Sequence, residues 1–513
     1  MNFKKMTSLL AAAAIMTSAL AGCGKKENVD DSEKLTYWMP LGQNAASVVS
    51  NYGDTEFAKE LTKETGIEVE YIHPATGQEG EAFNLMIASG SLPDIIEYNW
   101  FSAMGGPESS IDENVIIELN DVFKKYAPNL SKYLKENPDV AKLVKTDGGS
   151  YYVFPFIRGD EELLLTTGPI VRSDWLEEIG MEAPKTVDEW ENMLKAFKEK
   201  KNATAPLTFT KDEKPYMFIM LGSNYYTYVE DGKVKYGPYE NSFKEAVKTL
   251  AKWYSEGLLD KNYLVNDNTI KESNILNGKS GATVAPGGSG LGKWLQNMKG
   301  KEFALKGIQY PNEAGKEVNR FIPLSSKYAS YGAAISADCK NIEKAAKFLD
   351  YAYSKAGHML FNFGIEGESY TMENGVPTYT EFIMNNSDGL TVSQAMARYN
   401  RANYQGAFVQ DKLYIEGYYA LPEQKEALVN WRANADYENS TVCPQITKTL
   451  EENEKTSNIA TEISKYVDQA VTEFITGQRS LDTYDEFTET LKKMGVEEMV
   501  AIEQQAYDRY LKR

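Results

Sequence analysis

The sequence predicts an α/β protein with two lobes and a helical C-terminal region. Residues 35–98 alternate strand-like and helix-like segments, an order typical of a parallel sheet covered by helices. Residues 225–297 carry a second set of strands and helices, which predicts a second α/β lobe. From residue 459 onward the apolar residues recur with helical spacing, so we expect the chain to end in helices.

The first lobe is predicted to hold three strands and two helices. KLTYWMP is a strand that Pro40 ends, IEVEYIHP alternates as a second strand, and PDIIEYNW is a buried third strand. Between them lie a helix that starts near Asp54 and stops at Gly66, and a helix EAFNLMIASG that stops at Gly90. Because strands and helices alternate, we expect the three strands to be parallel.

Two tryptophans follow strands of this sheet. Trp38 ends the first strand, and Trp100 lies just past the third. In open α/β sheets ligands bind beyond the carboxyl ends of the strands, and a large ring with a polar edge can stack on a sugar. Trp38 and Trp100 are therefore predicted to stack on a ligand, with Glu97 or Asn99 as a polar partner.

The second lobe is predicted from local signals. Thr186 is suited to cap the helix that follows it, and Asp231-Gly232 is suited to a tight hairpin turn. Apolar residues recur at helical spacing over residues 243–254. SGATVAPGGSGLGKWLQNM then predicts a strand, a glycine-rich turn and a helix.

The glycine-rich turn resembles a phosphate-binding loop, because Gly287 and Lys293 have the spacing of that motif. The motif needs a Ser or Thr after the lysine to hold magnesium, and Trp294 stands there instead. We therefore expect no phosphate here; the backbone of Gly287 and Gly288 is predicted to approach a different ligand closely, and Trp294 to stack on it.

Later segments complete the predicted elements. SYGAAISADCKNIEKAAKFLDYAYSKAG predicts a strand and a helix that ends at Gly357. The C-terminal helices are predicted over residues 459–475, 481–494 and 499–511.

The chain opens with the pattern of an export signal. Two lysines precede an apolar run over residues 9–21, too short for a stable membrane span, which predicts a signal peptide over residues 1–22. The following LAGC resembles a lipobox, so we expect a lipid on Cys23; an ordinary signal peptide with a chance cysteine is the alternative. Residues 23–34 have almost no apolar side chain and are expected to be a flexible tether.

Composition excludes several classes of function. A net charge of −19, spread along the chain, disfavours nucleic acid as a partner. Two histidines in separate contexts support neither a zinc site nor a serine triad, and no metal or cofactor is expected. The 33 Tyr and 7 Trp supply rings that suit sugars. Apart from Cys23 only Cys339 and Cys443 remain, and a bond between them is left open.

Several stretches together resemble one family. LMIASGSLPDII, GPIVRSDWLEEIGMEAPKTVDEWENMLKAFK, ISADCKNIEKAAKFLDYAYS and FITGQRSLDTYDEFTETLKKMGVEEMVAIEQQAYDRY are similar to the solute-binding lipoproteins of bacterial carbohydrate ABC importers. The likeness is to their large branch, which includes alginate-binding members. It implies a two-lobed, periplasmic-binding-protein-like (type II) α/β fold with discontinuous lobes. The N-terminal lobe would take residues 35–165 and about 325–395, and the C-terminal lobe residues 166–324 and about 396–513.

One loop departs from the family pattern. Members often carry a calcium loop rich in Asp and Asn after the helix PKTVDEW, and here that loop reads KEKKNATAPLTF. Asn202 and Thr204 offer one side-chain oxygen ligand each and neither is a carboxylate, so we expect no calcium at this loop.

Other candidate residues follow from position and type. Arg158, near the first passage between lobes, is predicted to bind sugar hydroxyls or a carboxylate, or else to form a salt bridge with Asp160 or Glu161. Tyr225 is expected either to face the cleft or to pair across the hairpin. Weaker candidates from later segments are Tyr331, Tyr404 and Trp431.

The resemblance implies a receptor and not an enzyme. We expect a monomer held at the extracellular face of the cell membrane by Cys23, which captures a neutral oligosaccharide and delivers it to ABC permease subunits. An acidic oligosaccharide or a peptide is the alternative ligand. A glycoside-acting enzyme or an adhesin is the alternative function, although no pair of carboxylates in the sequence singles itself out for hydrolysis.

Overall fold

The structure is a computed structural model that describes residues 34–402 and 405–513. Its strands are Leu35–Trp38 (β1), Val69–Ile72 (β2), Ile95–Asn99 (β3), Phe154–Arg158 (β4), Thr167–Arg172 (β5), Thr227–Glu230 (β6), Lys233–Tyr236 (β7), Ala282–Pro286 (β8), Leu305–Gly307 (β9), Tyr328–Ile335 (β10), Tyr370–Glu373 (β11), Val376–Tyr379 (β12) and Val409–Gln410 (β13).

The α-helices of the described residues are Gln43–Ala46 (α1), Glu56–Thr65 (α2), Glu79–Ser89 (α3), Gly106–Asp112 (α4), Asn120–Tyr126 (α5), Pro128–Glu136 (α6), Pro138–Leu143 (α7), Ser173–Ile179 (α8), Val187–Lys200 (α9), Lys214–Met220 (α10), Asn241–Ser255 (α11), Asn268–Leu276 (α12), Lys293–Asn297 (α13), Ile342–Asp350 (α14), Lys355–Phe363 (α15), Glu381–Met384 (α16), Val392–Tyr399 (α17), Leu413–Tyr418 (α18), Pro422–Arg432 (α19), Leu450–Thr476 (α20), Tyr484–Lys493 (α21) and Val496–Lys512 (α22).

The larger sheet has six strands in the order β13-β4-β10-β3-β1-β2. β1 pairs in parallel with β2 and β3, which confirms the prediction for residues 35–98. β10 runs antiparallel to β3 and β4, and β13 pairs in parallel with β4. Strands from three distant parts of the sequence therefore build one sheet.

Local signals set the ends of α2 and the start of α9 to within a residue or two of the prediction. The prediction that Gly357 ends a helix is wrong: α14 already ends at Asp350, and Ser354 caps a new helix, α15, by accepting from the Gly357 amide. Thr55, and not Asp54, caps α2, because its hydroxyl accepts a hydrogen bond from the Ala58 amide at 3.1 Å. Gly66 ends α2 with a left-handed φ of 67°, which glycine adopts without strain. Thr186 and Glu189 form a reciprocal capping box at the start of α9.

A first hydrophobic core, which we call the first core, lies against the six-stranded sheet. Its buried residues come from three stretches, within residues 35–157, 328–361 and 397–409. The third stretch extends past the predicted lobe boundary at about residue 395. The reason is that Val409 and Gln410 pair with β4 as β13, so the chain leaves this core only after Gln410.

A second hydrophobic core, the second core, takes its buried residues from 163–322 and 415–499. Its sheet has three antiparallel strands in the order β8-β5-β9, so it does not repeat the parallel arrangement of the first lobe. Helices supply most of the core, including the buried rings of Trp190, Phe197 and Trp253. The predicted hairpin β6–β7 is confirmed, with positive φ at Asp231 and Gly232.

The predicted C-terminal helices are confirmed as α20, α21 and α22, with Gly477 and Gly495 between them. α20 starts at Leu450, earlier than predicted, because Thr449 and Glu452 form a capping box there. Within the described residues, none of the helices combines the length and the apolar character of a membrane span. Cys339 and Cys443 are both free thiols.

Candidate functional site

The chain passes between the two cores three times, and the three passages are hydrogen-bonded side by side. In the first passage the Arg158 amide donates to Lys327 O at 2.8 Å, and the Ser325 amide donates to Leu164 O at 2.7 Å. The Gly159 amide donates to Gln410 O at 2.9 Å, which joins the first passage to the third. We call these the crossing segments: residues 158–166, 322–327 and 410–413.

A cavity of about 390 Å³ lies beside the crossing segments, and we call it the inter-core cavity. Phe156 belongs to the first core, whereas Leu163 and Ile415 belong to the second, so both cores contribute walls. The lining residues are Phe156, Arg158, Leu163, Thr166, Gln405, Gln410, Tyr414 and Ile415. This position fits a ligand that contacts both lobes.

Arg158, a predicted site residue, ends β4 and lines this cavity. Its Nη1 donates to Ser326 O at 3.1 Å, and burial lowers the pKa of the guanidinium below its usual value. The predicted alternative of a salt bridge is wrong for the described residues: Asp160 instead accepts from the Lys412 amide at 3.0 Å, and Glu161 is exposed. The guanidinium is therefore available for a ligand.

Neutral polar groups complete the lining. Within the described residues, neither the Thr166 hydroxyl nor the Gln405 carboxamide takes part in a hydrogen bond. Gln410 is buried and donates from Nε2 to Ala402 O. Burial raises the pKa of Tyr414, so its phenol stays neutral and can both donate and accept. The sequence did not single out these four residues. The one signal that could have found them is position in the chain: Thr166 is near Arg158, and the other three follow the predicted lobe boundary at about residue 395.

The glycine-rich turn serves packing inside the protein, which corrects the expectation that it approaches a ligand. A β-carbon on Gly287 would lie 2.9 Å from the Tyr419 hydroxyl, and one on Gly288 would lie 3.0 Å from the Tyr418 hydroxyl. Gln424 donates to Gly287 O at 2.9 Å. The glycines therefore make room for these side chains.

The phosphate-loop interpretation fails in the structure as it did in the sequence. Residues 287–292 form a π-helical segment that continues as α13, and the Gly287 amide, at its start, donates to Thr166 O at 3.0 Å. Lys293 pairs with Glu272 at 2.6 Å, so its charge is already compensated.

The four tryptophans predicted to contact ligand are core side chains, with exposures of 5 % for Trp38, 0 % for Trp100, 2 % for Trp294 and 0 % for Trp431. Trp38 and Trp100 both pack against Phe83. Trp100 donates from Nε1 to Gly332 O, and Trp431 donates to Pro169 O. No ring face is left open for stacking in this conformation, so their binding role stays a prediction without structural support.

Glu97 is committed to a buried ion pair, which corrects its expected role as a polar partner of the ligand. It is fully buried, and its carboxylate contacts Arg401 at 2.7 and 3.1 Å. The Tyr37 hydroxyl donates to the same carboxylate at 2.6 Å, and burial, with the charge of Glu97, raises the pKa of Tyr37 well above its usual value.

The remaining candidates lie apart from the inter-core cavity or outside the described residues. Asn99 caps a short 3₁₀ turn, with its side chain accepting from the Phe101 amide, and Tyr331 lies opposite it on β10. Tyr225 is buried in the second core and donates to Asp468 at 3.4 Å. Tyr404 and Cys23, with the signal peptide and most of the tether, fall outside the described residues.

Comparison with known proteins identifies the family. Residues 45–359 match the model of the bacterial extracellular solute-binding protein family. The fructooligosaccharide ABC transporter substrate-binding protein FusA of Streptococcus pneumoniae is 24% identical over 560 residues, covering 99% of each chain. Lipoprotein LipO of Bacillus subtilis is 24% identical over 518 residues, covering 97% of each chain.

The fold agrees with these relatives. The crystal structure of the alginate-binding protein AlgQ2 without calcium ion superposes with a TM-score of 0.75 at 24% sequence identity, covering 93% of this chain and 98% of that one. The predicted two-lobed type II α/β fold is thereby confirmed. From its matched residues, its two cores and its crossing segments, the chain belongs to the bacterial extracellular solute-binding protein family.

Proposed function

We propose that this protein captures an oligosaccharide in the inter-core cavity and delivers it to the permease of an ABC importer. The observation that carries the proposal is the position of the cavity: it is walled by both cores and lies on the segments about which two lobes would close. Ligands in proteins of this architecture gain most when both lobes contact them, since closure then buries the ligand.

The lining suits a sugar. A volume of about 390 Å³ falls in the range of small-molecule sites. Arg158, Thr166 and Gln405 offer donors and acceptors for hydroxyl groups. Tyr414, which is partly exposed, offers aromatic surface for the apolar face of a pyranose or furanose ring.

The same lining supports binding without cleavage. Glycoside hydrolysis uses two carboxyl groups that flank the scissile bond. The residues that line the inter-core cavity, among those described, include neither Asp nor Glu. A bound oligosaccharide would meet no acid–base pair there.

The relatives support the ligand class and the location. FusA is named for fructooligosaccharides and LipO is named as a lipoprotein, and each aligns along nearly its whole length. The finer proposals follow from the sequence: removal of residues 1–22, a lipid on Cys23, a tether to residue 34, and a monomeric receptor outside the cell.

Calorimetry with a panel of oligosaccharides tests the function. We expect heat of binding with a one-to-one stoichiometry and no new reducing ends after prolonged incubation. New reducing ends would favour a glycoside-acting enzyme. Heat of binding with peptides alone would indicate that the protein serves peptide import.

A further inference from the structure

Arg158 brings a positive charge into the inter-core cavity that no carboxylate of the described residues neutralises. Its one hydrogen bond within those residues goes from Nη1 to the Ser326 carbonyl at 3.1 Å. The guanidinium carries five N–H donors, so most of them meet no acceptor within the part of the chain that the structure describes. The Phe156 ring lies beneath it, with 5.6 Å between Cζ and the ring centroid.

The acidic residues next to Arg158 in the chain are engaged elsewhere. Asp160 accepts from the Lys412 amide, and Glu162 pairs with the Lys412 ammonium at 3.5 Å. Backbone contacts and Lys412 hold the pKa of Glu162 below its usual value, so it remains the partner of that lysine. Glu161 is exposed to solvent.

The rest of the lining is neutral. Thr166, Gln405, Gln410 and Tyr414 are uncharged polar residues, and Leu163 and Ile415 are apolar. The lining thus carries one positive charge, in a chain whose net charge is −19. Among the described residues, no carboxylate lines the cavity to offset this charge.

Burying an arginine without a counter-charge costs free energy, because water no longer solvates the guanidinium fully. Sugar hydroxyls recover part of that loss by accepting hydrogen bonds, but a carboxylate recovers more, since its opposite charge also attracts the guanidinium. The planar fork of arginine matches the two oxygens of a carboxylate, which a lysine does not.

We infer that the oligosaccharide carries a carboxylate, and that Arg158 binds it through two parallel N–H···O bonds. The inference rests on the proposed function and names the class of sugar: an acidic oligosaccharide such as a uronate. It differs from the neutral oligosaccharide expected from the sequence and takes up the acidic oligosaccharide that was the alternative there.

Matched sugars test the inference. Tri- and tetragalacturonate, and oligomannuronates of the same lengths, are each compared by calorimetry with their carboxyl-reduced counterparts, which keep the linkage and lose the charge. We expect at least one acidic sugar to bind ten times more tightly than its reduced counterpart. Equal or tighter binding of the reduced sugars would overturn the inference and leave the proposed function standing. If none of the sugars, including neutral fructooligosaccharides, gave a heat of binding, that result would contradict the proposed function itself.

Variants assign the effect to Arg158. Arg158→Gln should weaken binding of the acidic sugar tenfold or more and leave the reduced counterpart within about twofold. Arg158→Lys, which keeps the charge without the fork, should lie between. Arg398→Gln is the control, because Arg398 lies on α17 of the same lobe and pairs at the surface with Asp388. Equal loss for both sugars in Arg158→Gln would show that the residue acts on the fold or on hydroxyl groups, and would overturn the inference.

Discussion

The Gly159 amide donates to the Gln410 carbonyl at 2.9 Å, and the two residues approach so closely that no side chain fits between them. A β-carbon on Gly159 would lie 2.7 Å from Gln410 O and 3.0 Å from a methyl group of Val409. This hydrogen bond thus fixes the spacing of two crossing segments. Gln410 also lines the inter-core cavity, so the fixed contact lies at the cavity wall.

Gly159→Ala should therefore loosen the crossing segments. Backbone atoms cannot yield as a flexible side chain does, so we expect a loss of about 1–3 kcal/mol in the free energy of unfolding. Weaker ligand binding should accompany it. Urea unfolding and calorimetry measure the two effects. Gly80→Ala is the matched control, since Gly80 lies in α3 with its nearest neighbour at 3.7 Å, and it should be neutral or slightly stabilising. An unchanged Gly159→Ala protein would show that the passages can move apart freely.

The helices, strands and turns could be predicted from residues close to them in the sequence. Gly66, Thr186 and the Asp231-Gly232 turn act on their own neighbours in the chain, so their effect needs no knowledge of the rest of the fold. The parallel arrangement of β1, β2 and β3 followed from the same local order.

The candidate site was less predictable because it depends on distant partners. The strand-end rule placed Trp100 at the correct edge of the sheet, but a 3₁₀ turn and the carbonyl of Gly332, 232 residues away, direct its ring inward. Glu97 finds Arg401 at a separation of 304 residues, which no local pattern encodes. Arg158 lines the inter-core cavity because it sits on the passage itself, and its role in binding stays a prediction.

The buried ion pair between Glu97 and Arg401 should be a major determinant of stability. Glu97→Gln removes the charge that compensates Arg401 inside the first core, and such a loss typically costs about 3–5 kcal/mol. The control is Glu56→Gln, which breaks a surface pair with Lys59 and should change the free energy of unfolding by less than about 1 kcal/mol. Equal effects of the two substitutions, measured by urea unfolding, would mean that the buried pair contributes little.

Glu191 should make stability depend on pH in the acidic range. Burial alone would raise the pKa of Glu191, but hydrogen bonds from Lys195, Lys252 and Trp253 outweigh it and bring the pKa to about 2. A carboxyl whose pKa is lower in the folded state stabilises the fold above its unfolded pKa of about 4.3, and that stabilisation is lost as pH falls toward the folded value.

The thermal midpoints of the wild type and of Glu191→Gln should therefore differ at pH 7 and converge between about pH 5 and pH 2. Glu199→Gln, on the exposed face of the same helix, should follow the wild type throughout. A difference that stays constant down to pH 2 would exclude Glu191 as its source.

Calcium should have no effect on the loop after α9. The turn at residues 201–205 is held by the chain itself: the Ala203 amide donates to Phe197 O at 3.1 Å, the Ala205 amide donates to Lys279 O at 3.0 Å, and Lys201 pairs with Glu178. A lysine in ion-pair contact at this turn disfavours a second cation beside it, and Asn202 and Thr204 offer no carboxylate. The thermal midpoint should be the same in excess EDTA and in millimolar calcium, and calorimetry with calcium should show no saturable heat. A midpoint that rises with calcium and falls again on chelation would contradict the prediction, and Lys201→Ala would then tell whether the ion enters at this turn, because removing the competing charge should tighten its binding there.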